Sequence, residues 1–82
     1  MMVYVLCTKV VSDGEPLREK VRVFSKYEKA IAAFENWVDR ELRDNVPQSW
    51  EIFESTQDFE AWEPGNYVNN NSVAFVEELV LE

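Results

Sequence analysis

Ser25-Lys26-Tyr27-Glu28-Lys29-Ala30-Ile31-Ala32-Ala33-Phe34-Glu35-Asn36-Trp37-Val38 is the stretch on which the fold turns. Ser25 can accept from the amide of Glu28, whose carboxylate can reach back to the amide of Ser25, so a capping box and a helix start are expected there. Behind it Tyr27, Ala30, Ile31, Phe34, Trp37, Val38 and Leu42 recur every three or four residues and fall on one stripe, with Lys29, Asn36, Asp39, Arg40 and Arg43 facing away. Arg40 and Arg43 suit the negative end of the helix dipole, and Pro47 disfavours helical geometry at Val46, so the helix should stop near Asn45. One amphipathic helix needs an apolar surface to lie on, and the flanking segments supply strands.

Upstream, Met2 to Val11 is dense in β-branched and aromatic residues with apolar side chains at both parities, the pattern of a strand covered on both faces or central in its sheet. Ser12-Asp13-Gly14-Glu15-Pro16 supplies turn chemistry, and Glu19 to Phe24 alternates polar with apolar, which predicts a half-exposed second strand closing a hairpin. Downstream, Trp50 to Ser55 reads as a third strand, with Trp50 and Ile52 on one side, and Val73 to Leu81 as a fourth. Glu63-Pro64-Gly65-Asn66 and Asn69-Asn70-Asn71-Ser72 are turn clusters. Two readings stay open for Asp58 to Trp62 and Tyr67-Val68, a short extra hairpin or a long ordered loop. The expectation is a single α+β domain over residues 1–82 in ββαββ order, one amphipathic helix packed on a small, mostly antiparallel sheet.

Eighty-two residues hold one core, because a split would leave two cores too small to offset the entropy of ordering them. An apolar fraction of 46% with eleven aromatic residues predicts folding despite a net charge of -8. Cys7 is the sole cysteine and reads as a small buried hydrophobe in a reducing compartment. Neither a secretory leader nor a run of about 18 apolar residues is written on the chain, so a cytoplasmic location is expected.

Histidine is absent, which removes the usual general base and a common metal ligand. The two glycines sit far apart in turns, so neither a phosphate-binding loop nor a dinucleotide-binding loop can be written. The acids lack the spacing of a calcium loop. The chain is therefore expected to be no enzyme, with no cofactor and no metal. Its bases are few and interleaved with acids, which disfavours direct contact with nucleic acid.

What remains is an asymmetry. Arg43 is the last base, and residues 44–82 hold nine acids and no base. A solvated acidic face serving solubility is the plain explanation. Against it, Phe53, Phe59, Trp62 and Tyr67 are interleaved with those acids, and rings anchor interfaces. The candidate partner-binding set is Glu51, Glu54, Asp58, Phe59, Glu60, Trp62, Glu63 and Tyr67, the acids standing in for phosphates and the rings serving as anchors. The partner this implies is a basic protein surface, as on a nucleic-acid-binding enzyme, and a homodimer is compatible with the pattern. The alternative is a small accessory domain that assembles through a sheet edge, its acids serving solubility.

Val3-Tyr4-Val5-Leu6, then Val23-Phe24-Ser25 and Glu28-Lys29-Ala30, resembles the opening of short α/β proteins of phages and mobile elements over about the first half of the chain. That resemblance implies a phage-type inhibitor, similar in kind to anti-CRISPR and other anti-defence proteins, acting as a DNA mimic in the host cytosol.

Overall fold

The computed structural model describes residues 1–81, with the side chains of Glu41 and Leu42 outside the description. Strand β1 (Met2–Ser12) turns through Asp13 and Gly14 into β2 (Glu15–Phe24), helix α1 (Tyr27–Trp37) follows, and a π-helical turn (Val38–Leu42) extends it. Three more strands complete the chain, β3 (Glu51–Glu54), β4 (Asp58–Trp62) and β5 (Asn71–Val80). They form one antiparallel sheet in the order β2-β1-β5-β4-β3, with α1 across one face.

The α+β class with one helix holds, but the ββαββ order does not, because Asp58–Trp62 is a strand in its own right. Its pattern explains why: Phe59 and Ala61 point into the core while Asp58, Glu60 and Trp62 take the opposite face, a period of two that fits only a strand. Tyr67 and Val68 lie in the following loop and form no strand.

The capping box does not form. Lys26 is extended at φ -126° and ψ 134°, the helix begins at Tyr27, and no side chain caps it. Glu28 thereby falls one position too early to reach back. Tyr27 is held edge-on to Tyr4 with ring centroids 5.5 Å apart, and its hydroxyl accepts from Gln57 Nε2 at 3.4 Å. This aromatic docking, with the sheet already in place, fixes where the helix starts.

The β1–β2 turn has both central residues at positive φ, 52° at Asp13 and 81° at Gly14, the geometry that matches strand twist in a two-residue hairpin. Gly14 is required twice over, since a Cβ there would also meet Asn69 Oδ1 at 3.2 Å. A bulge between Val10 and Val11 leaves Leu17 unpaired and accommodates Pro16, which has no amide to donate. β2 and β3 are the two edges of the sheet.

The core lies between α1 and the sheet, where Leu6, Phe59, Ala61, Ala74 and Val76 pack against Ala30, Phe34 and Val38. Only one face of the sheet is covered in this way. The accessible surface of 5605 Å² exceeds the roughly 5,100 Å² expected of a compact monomer of this mass, as a sheet with an uncovered side requires.

Candidate functional site

Strand register decides which residues share the uncovered face. Val3, Val5, Cys7, Lys9 and Val11 of β1 stand there beside Glu19, Val21 and Val23 of β2. Across β5 come Asn71, Val73, Phe75, Glu77 and Leu79, then Asp58, Glu60 and Trp62 of β4, then Glu51 and Phe53 of β3. Apolar side chains are frequent on this face, interrupted on the middle strands by Lys9 and Glu77, and those on the edge strands stay in solvent: Val21 is 61% and Phe53 is 53% accessible. The two-parity apolar pattern of β1 fits its place inside the sheet, where the neighbouring strands leave Val3, Val5 and Val11 only 7% accessible even on the face away from α1. A depression of about 440 Å³ crosses this face between Val21, Val73, Phe75 and the Tyr67-Val68 segment.

Five carboxylates, Glu19, Glu51, Asp58, Glu60 and Glu77, stand on the same face with a single amine, Lys9. Their field reaches Cys7: its thiol is pushed above the ordinary range first by burial and then by Glu77 and Glu19.

The loop after β4 is stitched to the sheet. Glu63 to Asn66 is a tight turn with Gly65 at φ 78°, closed by Asn66 N donating to Glu63 O at 2.9 Å. Asn71 Nδ2 donates to Tyr67 O at 2.8 Å, and the hairpin tip donates into the loop from Gly14 N to Asn69 O and from Asp13 N to Asn70 Oδ1, each at 3.0 Å. These bonds lay Tyr67 beside Trp62, with ring centroids 5.7 Å apart, and its hydroxyl donates to Glu60 Oε1. Trp62, Tyr67 and Glu60 thus form one preorganised corner of the face.

The eight residues singled out from sequence divide. Glu51, Asp58, Glu60 and Trp62 are brought together on the uncovered face, and Tyr67 is laid against it. Asp58 is also a turn residue, accepting from Ser55 Oγ at 3.2 Å. Glu63 is half-buried and accepts from Asn66 Nδ2 at 3.1 Å, which gives it a structural task in the loop. Glu54 and Phe59 lie on the other side. Phe59 is fully buried beneath α1 and can anchor nothing outside, because its place in the alternation of β4 points it at the core. Glu54 is neutralised by Arg43, which donates from both terminal nitrogens at 2.9 and 2.6 Å.

Sequence reasoning missed the apolar centre: Val21, Val23, Val73, Phe75 and Leu79. The signal was present, since the alternation of Glu19 to Phe24 places Val21 and Val23 together, and pairing them with the odd residues of β1 would have shown the face. Among the described residues no group of acids, cysteines or histidines could hold a metal ion, and no helix is long and apolar enough to cross a membrane. The chain matched no protein family, no curated protein and no solved structure.

Proposed function

We propose that this chain is a non-enzymatic binding protein that docks the uncovered face of its sheet on a basic protein surface with an apolar centre, of the kind that binds nucleic acid, and occludes it. The observation that carries this reading is the uncovered face itself, an apolar strip with five carboxylates and one amine standing on it. Exposed apolar surface of this extent marks an interaction site. The charge selects the partner: a second copy stacked face to face would bring ten carboxylates together with only two amines, whereas a cationic rim would be steered in and held. Phe53, Trp62 and Tyr67 supply ring area, and Tyr67 is already fixed by Glu60 and so loses little freedom on docking. Occlusion of such a surface is what an inhibitor of the anti-defence kind would do.

Purified nucleic-acid-binding enzymes are the probe. At about 50 mM salt at least one should bind with micromolar or tighter affinity, release its DNA or RNA, and lose the interaction by about tenfold or more at about 300 mM salt. The variant Glu19→Lys/Glu51→Lys/Glu77→Lys, at three positions on the face, should abolish binding and keep the fold. Failure of every enzyme to bind at low salt overturns the reading, and so does a wild-type chain that is dimeric at every salt concentration.

Assembly through a sheet edge is the second reading, favoured by one observation. β2 offers ten residues of outer edge. Binding through that edge would survive high salt and the triple substitution.

A further inference from the structure

On the opposite side of the sheet, a cavity of about 140 Å³ opens between α1 and β2. Ala33, Asn36, Trp37 and Arg40 reach it from the helix at positions three, four and seven apart, so they form one flank of α1 and its π-helical turn. Leu6, Thr8, Lys20 and Arg22 reach it from the inner faces of β1 and β2. The helix lies over the middle of the sheet and leaves β2 exposed, so the cationic inner positions of that strand overhang the gap.

Two features set the cavity apart. Thr8, 5% accessible, has its hydroxyl oxygen buried without a hydrogen-bond partner, and the buried indole N–H of Trp37 has none either. Buried polar atoms are nearly always satisfied, and an indole N–H can only donate. Moreover, among the described residues no carboxylate pairs with Lys20, Arg22 or Arg40. The chain has twice as many acids as bases, yet three of its eight bases surround this one cavity, Arg22 with its guanidinium over the Phe24 ring at 5.0 Å.

We propose that this cavity is a binding site for a compact oxyanion, a phosphate or a small carboxylate, received by the Trp37 indole and the Thr8 hydroxyl and neutralised by Lys20, Arg22 and Arg40. Charge-assisted hydrogen bonds from a guanidinium and an ammonium are the strong ones, and the buried donors fix the orientation that exposed lysine and arginine alone would leave loose. The volume sets the size. Sites for drug-sized ligands occupy about 300–1,000 Å³, so the enclosed space suits a single phosphate or acetate group. The site lies on the helix side, away from the proposed docking face, and stands whether or not that face has a partner.

The test titrates the whole chain with inorganic phosphate and separately with acetate, against sodium chloride at the same ionic strength, and follows the three indole N–H resonances by NMR. The Trp37 signal, assigned by its loss in Trp37→Phe, should shift downfield and saturate at about millimolar anion or below, while Trp50 and Trp62 stay in place. Saturation by one anion tells which oxyanion the site prefers, and saturation by both assigns the class. Lys20→Gln/Arg40→Gln changes two exposed side chains, so the fold should persist and the shift should be lost. A Trp37 resonance unmoved by either anion, which would mean a cavity filled by water alone, or moved equally by chloride, overturns the proposal, as does an unchanged shift in the double variant, which would mean that Lys20 and Arg40 do not hold the anion.

Discussion

Arg43, the last cation of the chain, grips Glu54 with both terminal nitrogens at 2.9 and 2.6 Å while its Nε donates to Asp39 at 3.2 Å. Its pKa is raised further, chiefly by the hydrogen bonds to Glu54. The pair fastens the end of the helical segment to β3, the edge strand farthest from β2. The acidic second half of the chain is therefore not wholly uncompensated.

Arg43→Gln tests the strength of that fastening. Both side chains are nearly half accessible, so solvent screens the pair and the loss of stability should be under about 1 kcal/mol. Urea unfolding at low and high salt should show the difference between variant and parent shrinking as salt rises. A difference that does not respond to salt would mean that the arginine acts through the packing of its stem.

Two phenylalanines six positions apart should behave oppositely. Phe59→Ala empties a fully buried place under α1 and should lower stability by about 3–5 kcal/mol. Phe53→Ala removes a half-exposed ring and should change stability by less than about 1 kcal/mol, while weakening the interaction with a basic partner. Thermal melts and binding measured side by side separate these effects, and a Phe53→Ala chain that binds unchanged would remove this ring from the interface.

Cys7 should be slow toward iodoacetamide at neutral pH, since burial and the carboxylates of Glu77 and Glu19 keep its thiol protonated. Its folded pKa lies above the unfolded one, so its contribution to stability is complete below the ordinary thiol range and falls away as pH rises through it. Glu19→Gln/Glu77→Gln should lower the pKa and speed alkylation. The rate should stay below that of free cysteine, because burial is the larger cause. A pH–rate profile checks both statements.

The helix and the outer strands were legible because their periodicities differ: Ala30, Phe34 and Val38 repeat as a helix stripe, and Val21 and Val23 alternate as a strand. Strand β4 was harder to see. Asp58 to Trp62 alternates over only five residues, and its pairing with Ala74 and Ser72 across the sheet is a long-range fact that a local pattern does not carry. The helix start was misread by one position because Tyr4 and Gln57 hold Tyr27 from distant parts of the chain. Of the candidate site, the acids and rings near residue 60 were visible, but their division between two faces was not. A one-residue step in a strand reverses direction, so Phe59 goes inward while Asp58 and Glu60 go outward. The pull of Arg43 on Glu54 could not be read either, since it depends on where the helix ends in space.

The outer rim of β2 has a consequence for the molecule at high concentration. A ten-residue border strand is long enough to seed fibrous growth, each newcomer laying its backbone along the last. In register, such growth would stack Lys20 on Lys20, Glu19 on Glu19 and Arg22 on Arg22 at about 4.8 Å, and Pro16 would leave a gap in the ladder. Fibrous growth in that register is therefore opposed by the strand's own charges.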